Sequence, residues 1–559
     1  MIAYLPSSEL LTGLRRTPPE TLDVAVLITA TDAPDQWLPY LEAAHAALRA
    51  GGLLFIQGVP EHLPMLGVQA ERLFRFKYWI ALESALRLDK RLPSAHAGVL
   101  LFVKGEQFHI KRVRIPHQHC RACHKPLKDW GGKSHLMHPS GAALSDVWKH
   151  LPKADNYSGL SRAALDTIMQ MLPDPSPDRE IQGVIGPAER ILEATGEHVF
   201  REVPVQYARP LTRAFGRNGE EKQPHTSMPL DCVIQGDALE VLSKLPDESV
   251  DLAFADPPYN LDKAYGTYHD ERDDEAYLNW CNAWLDEYVR VLKPNGALFV
   301  LNLPRWAMHH AVHLNQRLHF QNWIVWDALS EPRGKLMPAH YALLFYTKHP
   351  QHFKLNLDAV SPIDARDYCL RSACIRRRKS LGDDEKEPLT DIWWDIHRIK
   401  HRRNRDYHPC QLPEALLERI ILLTTDPDDV VLDAMAGTGT TAVVASRLGR
   451  HFIAIDLDPA YTAIARDKLR QLETFGNVPR FPTSRHRQRY HKKALQLELR
   501  DLALRLGRLP QPEDVQRLSR YGLEPFLEAF PSWGKALKAA KLLELNGNPH
   551  ESTTKEAHL

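Results

Sequence analysis

Charge of one sign is nearly absent from this chain as a surplus. Its 559 residues carry 71 Lys and Arg against 70 Asp and Glu, a net of +1. Affinity for a polyanion therefore has to come from local clusters, not from the total. Cysteine is also scarce, seven in all, which is no disulfide framework and fits a reducing compartment. No run of eighteen apolar residues occurs, so no membrane span is expected. The opening "MIAYLPSSELLTGLRR" holds too short an apolar stretch for a secretory signal. What the chain does have is length for two to four domains and the apolar and charged fractions, 43% and 25%, of a globular protein.

Residues 231–470 alternate short apolar runs with amphipathic stretches. "VDLAFADPP", "GALFVLNLP", "YALLFYTK", "DVVLDAMAG" and "RHFIAIDLDP" read as buried strands, with helices such as "DEAYLNWCNAWLDEYVRVL" and "LPEALLERIILLT" between them. That alternation predicts an α/β fold, a mainly parallel, doubly wound sheet.

The first 220 residues repeat the same plan. "LDVAVLITA" matches "VDLAFADPP", "YWIALES" matches "NWIVWDA", "AHAGVLLFVK" matches "AHYALLFYTK" and "LSDVW" matches "LTDIW", in the same order. This is a duplicated domain, not a short solenoid repeat. Copy one has "TATDAP" where copy two has "DPPYN", and "REIQGVIGPAER" where copy two has "VLDAMAGTGTTA". Copy one is therefore expected to be a packing partner without chemistry. Beyond 476, "RFPTSRHRQRYHKK" reads as a basic linker, and the following segment as three short helices broken at "GRLPQP" and "FPSWG". The expected domains are 1–222, 223–475 and 476–559.

"VVLDAMAGTGTTAVVASRLGRHFIAIDLDP" is a strand, a glycine turn, a helix and a second strand with an acidic end. Gly437 and Gly439 allow close backbone approach to a ligand. Thr440 and Thr441 stand at the helix start, and Asp456, 17 residues after Gly439, suits ribose hydroxyls. The third glycine of a dinucleotide fingerprint is missing, and no Gly-Lys-Ser/Thr follows. A nucleoside cofactor without a pyrophosphate is favoured.

"DPPYNL", "HPCQLPEALLERII" and "GTGTT", in that order over roughly 229–470, resemble the β class of amino-group DNA methyltransferases that use S-adenosylmethionine. The resemblance implies a Rossmann-like methyltransferase sheet and transfer to adenine N6 in duplex DNA, with the base flipped out. Asp256, Pro257, Pro258 and Tyr259 would be catalytic. An exocyclic amine has its lone pair delocalised into the ring, so acceptors at Asp256 and the Pro257 carbonyl would favour its nucleophilic form, with Pro258 stiffening the turn. Tyr259 would stack on the base. The resemblance also places Asp237, His408, Gln411, Asp433 and Asp456 near the cofactor. It departs from the family at Ala434 and Met435, where Pro-Phe is usual. Cytosine N4 transfer shares these motifs, and a non-catalytic DNA-binding protein is the alternative of another class.

The insertion at about 355–407 carries the basic clusters Arg376, Arg377, Arg378, Lys379 and Arg398, Lys400, Arg402, Arg403, Arg405. In this family such an insertion holds target recognition, and these side chains are expected on phosphates. Trp393 and Trp394 read as core. In copy one Cys120 and Cys123 form a CxxC pair near His124, His135 and His138, a candidate zinc site, with ordinary thiols as the other reading. Cys369 and Cys374 have a wider spacing. "LGRLP…FPSWGKALKAA" resembles a homing-endonuclease-associated helical repeat, which implies accessory DNA binding. The expected setting is a bacterial or archaeal cytoplasm, near the nucleoid, with any cognate restriction endonuclease encoded separately. Copy one would mimic the second subunit of a dimer within a monomer.

Overall fold

A computed structural model describes residues 1–87, 91–127, 137–149, 157–175, 179–193, 228–261, 271–328, 334–360, 362–369, 371–383, 385–399, 411–475 and 492–519, with shorter pieces elsewhere. His135, Lys400, Arg402, Arg403, Arg405, His408 and the linker 476–491 lie outside the described residues. One compact unit comprises Met1–Lys400 with Asp406–Val478, and a second comprises His401–Arg405 with Pro479–Leu559.

The first unit contains two large sheets, beside small two-stranded ones. The strands of the first are β1 (Ile2–Tyr4), β2 (Leu22–Ala30), β3 (Leu48–Gly58), β4 (Arg75–Arg87), β5 (Ser94–Val103), β6 (Val147–Trp148) and β7 (Gly183–Gly186). Those of the second are β8 (Cys232–Gln235), β9 (Val250–Ala255), β10 (Leu292–Asn302), β11 (His319–Asp327), β12 (His340–Thr347), β13 (Ile392–Trp393), β14 (Val430–Asp433) and β15 (His451–Asp456). Helices α1 (Ser7–Arg16), α2 (Leu38–Ala47), α3 (Leu63–Glu71) and α4 (Arg162–Met171) belong to copy one. Helices α5 (Ala238–Leu242), α6 (Asp274–Val291), α7 (Pro304–Leu314), α8 (Ser372–Leu381), α9 (Glu414–Thr424), α10 (Thr440–Arg447) and α11 (Pro459–Phe475) belong to copy two.

The strand orders are β1-β7-β2-β3-β5-β4-β6 and β8-β15-β14-β9-β10-β12-β11-β13. From β7 to β6 and from β14 to β13 the two orders coincide, so the duplication extends to the fold. Each sheet is parallel except where β5 and β12 run antiparallel to both neighbours. Sequence does not distinguish the two directions there, because these strands are apolar on both faces. Alternation explains that double burial: in β9, Leu252 and Phe254 face one apolar cluster and Ala253 and Ala255 another. The second of these clusters is common to both copies. It joins Leu41 and Leu66 of copy one to Trp284 and Ala311 of copy two.

A reciprocal exchange fixes the copies together. Asp146, from "LSDVW", accepts the backbone N–H of Ala339 at 2.8 Å and of His340 at 3.2 Å. Asp391, from the matching "LTDIW", accepts the Ala95 N–H at 2.7 Å and the Ser94 hydroxyl at 2.6 Å. The backbone repeats the exchange: the N–H of Asp146 donates to Met337 O and that of Asp391 to Pro93 O. On the axis between the copies, the matching Trp79 and Trp323 stack with centroids 3.7 Å apart and planes 9° apart.

Copy one departs from copy two at the carboxyl edge of its sheet. The register pairs Val26 with Phe55 and Phe254 with Phe299, so Ile28 occupies the place of Asp256. Strand β2 runs on to Ala30, whereas β9 stops at Ala255. Arg190 then donates to the carbonyls of Ile28 and Thr29 at 3.0 and 2.9 Å, covering that edge. The slot beside β7 is taken by β1, where copy two has β15.

In copy two, the turn from β14 into α10 uses Gly437 at φ 52° and Gly439 at φ 76°. A Cβ on Gly439 would stand 2.5 Å from Ala465 Cβ in α11. The second unit holds α12 (Lys492–Leu506), α13 (Pro512–Leu518) and α14 (Trp533–Ala539) around Leu499, Leu502, Val515 and Phe526.

Asp391→Ala leaves buried donors of copy one without an acceptor and is expected to cost about 2–4 kcal/mol. Urea unfolding followed by tryptophan fluorescence measures this, and an unchanged midpoint contradicts it. Gly439→Ala, strained in φ and in contact with α11, is expected to lower stability by about 1–3 kcal/mol in the same assay.

Candidate active site

The ends of β8, β9, β14 and β15 meet around one cavity. Asp237, Asp256, Pro257, Pro258, Tyr259, Gln411, Asp433, Gly437, Thr440, Thr441 and Asp456 all line it. Segments up to 219 residues apart in sequence thus converge at the carboxyl ends of parallel strands, where open α/β sheets bind ligands. Gly439 sits one residue before the helix and shapes the turn, and it is not among the lining residues.

The "DPPY" loop is held from several sides. Tyr277 in α6 donates its hydroxyl to the Pro258 carbonyl at 2.7 Å and receives a hydrogen bond from Asn302 Nδ2 at 3.1 Å. Trp306 Nε1 donates to the Tyr259 carbonyl at 2.9 Å. Asn260, at φ 53°, pairs with the backbone of Arg272 through both ends of its amide, 2.8 Å each. Tyr259 is 5% exposed, and its hydroxyl donates to Asp256 Oδ1 at 2.6 Å.

The glycine turn is organised by two acids. Asp433 Oδ2 accepts from Thr441 Oγ1 at 2.6 Å and Oδ1 from the Met435 N–H at 3.0 Å. Asp456 Oδ2 accepts the Gly437 N–H at 2.7 Å and Oδ1 the Asp458 N–H at 2.9 Å. Burial pushes the Asp433 carboxyl up to about 7, against the lowering by Thr441 and the Met435 amide. Burial also raises Asp456. Asp237 caps α5, accepting from Leu239 and Glu240 at 2.9 and 3.2 Å, and faces the cavity as well. Such a lining of carboxylates favours a cation.

Sequence reasoning missed Arg272, Trp280 and Tyr461, which also line the cavity, and the supports Tyr277, Asn302 and Trp306. Tyr461 in "DPAY" had a signal, an aromatic just past the ribose-suited acid; the supports had none. Met435 lines the cavity, so the departure from Pro-Phe leaves an apolar side chain there. Trp393 and Trp394 are buried, as expected.

The basic clusters are corrected in one place. On α8, Arg376, Arg377 and Lys379 are exposed, but Arg378 is 1% exposed and cannot meet a phosphate. Its guanidinium lies over the Tyr368 ring at 4.2 Å and donates to the Cys369 carbonyl at 3.1 Å. Helical periodicity turns one residue of the run inward, beside Cys374 one turn earlier. Arg398 is half-buried. No helix among the described residues is long and apolar enough to cross a membrane.

Residues 250–467 match the DNA methylase family, and residues 490–543 match the homing endonuclease associated repeat. The type II methyltransferase M.BamHI of Bacillus amyloliquefaciens is 37% identical over 242 residues, 43% of this chain and 57% of that one. The type II methyltransferase M.HpaI of Haemophilus parainfluenzae is 34% identical over 42% of this chain and 73% of that one. The DNA adenine methyltransferase YhdJ of Escherichia coli is 32% identical over 42% of this chain and 82% of that one. The match thus spans little more than half of the first relative and most of the other two. With the glycine turn and the "DPPY" loop on one cavity, the chain belongs to the DNA methylase family, whose members use S-adenosylmethionine.

Proposed function

We propose that this chain methylates adenine N6 in duplex DNA at a specific site, using the cavity at the carboxyl ends of β8, β9, β14 and β15 in copy two. The convergence of Asp256 with the two-acid glycine turn carries this reading. S-adenosylmethionine supplies an electrophilic methyl group on a sulfonium. Asp433 and Asp456 offer carboxylates to its cationic and ribose portions, and the Gly437–Gly439 turn leaves room for it. Asp237 and Tyr461 border the same cavity.

At the other end, Asp256 and the Pro257 carbonyl accept the two N–H bonds of the target amine. This localises the nitrogen lone pair and stabilises the positive charge that develops during attack. The Pro258 carbonyl is already engaged by Tyr277, which fixes the loop. Tyr259 would stack on the extruded base, while its hydroxyl, which donates to Asp256 Oδ1, orients the carboxylate. One relative, YhdJ, is a DNA adenine methyltransferase, and the aspartate at the head of the motif supports adenine over cytosine.

Arg376, Arg377 and Lys379 on α8 would hold phosphates, with the C-terminal helices as an accessory DNA contact. Copy one would stand in for a second subunit, so the chain would act as a monomer. A cytoplasmic, nucleoid-associated location and a separately encoded restriction endonuclease complete the reading.

DNA methylated by the full chain, digested to nucleosides and resolved by mass spectrometry, is expected to contain N6-methyladenine. N4-methylcytosine alone would overturn the base assignment. Asp256→Ala is expected to lose methyl transfer roughly 10²–10³-fold, on the order of an oxyanion-donor deletion, while duplex DNA still binds; retained turnover would contradict the role of Asp256. A third expectation concerns pH. Asp433 is protonated below about 7 and ionised above it, and a cationic ligand prefers the ionised form. Calorimetric affinity for S-adenosylmethionine should therefore rise about tenfold between pH 6 and pH 8, and Asp433→Asn should flatten the rise.

A further inference from the structure

Four cysteines from the two copies converge away from the catalytic cavity. The Sγ atoms of Cys120, Cys123, Cys369 and Cys374 all lie within 4.8 Å of one another. Two come from copy one, in a CxxC, and two from the insertion of copy two. We propose that they bind one zinc ion, which clamps the insertion of copy two to its counterpart in copy one.

The geometry separates this from the alternatives. Cys120 and Cys374 sulfurs are 3.7 Å apart, and Cys123 and Cys369 sulfurs 3.6 Å apart. A disulfide requires roughly 2.05 Å. A tetrahedral zinc with Zn–S of about 2.3 Å places its sulfurs about 3.8 Å from each other. These two pairs match the metal spacing, and all four sulfurs lie within 4.8 Å of one another.

The chain around the sulfurs is shaped as a ligand turn. Cys120 N–H donates to Lys125 O and His124 N–H to Cys120 O, both 2.8 Å, closing a tight loop. His124 sits at φ 56°, just past the second cysteine of the pair. Across the interface, the Cys369 N–H donates to Cys120 Sγ at 3.3 Å. Arg378, buried on α8, reaches Cys374 Sγ at 3.8 Å. These donors suit thiolates better than thiols. A tetrathiolate zinc carries a formal charge of −2, and the guanidinium at its edge offsets half of it.

The setting gives the clamp a purpose. Cys374 is on α8, the helix that exposes Arg376, Arg377 and Lys379. Arg121, between the two cysteines of copy one, pairs with Asp367 at 3.2 Å and with Glu385 at 2.5 Å, both in the insertion. Arg371 donates to the Pro126 carbonyl at 2.7 Å. Every one of these contacts crosses from one copy to the other. An isolated CxxC on copy one would be incomplete, because the missing pair comes from copy two. Soft sulfur ligands in a tetrahedral set select zinc or an iron–sulfur centre, and the site shows room for a single ion between four sulfurs.

The test uses the full chain purified without a metal-affinity tag. Elemental analysis by plasma mass spectrometry is expected to find one zinc per chain. Titration of the native protein with a mercurial is expected to release that zinc to a chromogenic chelator as four thiols react. Cys123→Ser with Cys374→Ser is expected to hold less than a tenth of an equivalent, while Cys232→Ser keeps the full complement. Should the double variant not fold, cobalt exchange into the unaltered chain decides alone, with intense sulfur-to-cobalt charge-transfer and tetrahedral d–d bands expected. Iron in place of zinc, no stoichiometric metal, or a disulfide within the four by intact mass would overturn the proposal.

Discussion

The architecture rests on an exchange of buried carboxylates across an internal two-fold relation. Asp146 reaches the start of β12, and Asp391 the start of β5. Each copy therefore leaves backbone donors that only the other copy satisfies. Leaving such donors buried and unpaired costs more than pairing them gains, so the exchange fixes partner and register more than it adds stability. The Trp79–Trp323 stack and the apolar cluster common to both copies then fill the space that the exchange defines.

The catalytic cavity is connected to that exchange. His340 receives a hydrogen bond from Trp323 Nε1 at 3.0 Å, and Tyr341, next along β12, packs 6.0 Å from the Tyr259 ring. Copy one thus holds the strand that backs Tyr259, although its own sheet has a sealed edge. There Ile28 replaces the acid, β2 runs on through the loop position, and Arg190 occupies the carbonyls a ligand would face.

Much of this was legible before any coordinates. Apolar runs marked the strands, the repeated "LSDVW" and "LTDIW" marked the duplication, and "DPPYNL" with "GTGTT" marked the site. Those signals survive because each depends on local sequence: a buried strand must be apolar, and a tight ligand turn needs glycine. What stayed hidden depends on distant partners. The inward turn of Arg378 follows from helix phase against Tyr368, not from the basic run itself. Tyr277, Asn302 and Trp306 hold the loop from three different elements. The four cysteines looked like one pair and two strays because the second pair has an unusual spacing and lies about 250 residues away in sequence. In copy one, the strand continues through the position of Asp256, so "TATDAP" is not the counterpart of the "DPPYN" loop.

The central claim is that two copies of one fold share a single cofactor site. Equilibrium titration of the full chain with S-adenosylmethionine, with protein concentration fixed by amino-acid analysis, measures this directly. A stoichiometry of one per chain is predicted, since copy one lacks the glycine turn, and β1, which takes the place of β15, carries no acid to match Asp456. Two equivalents per chain would contradict the account.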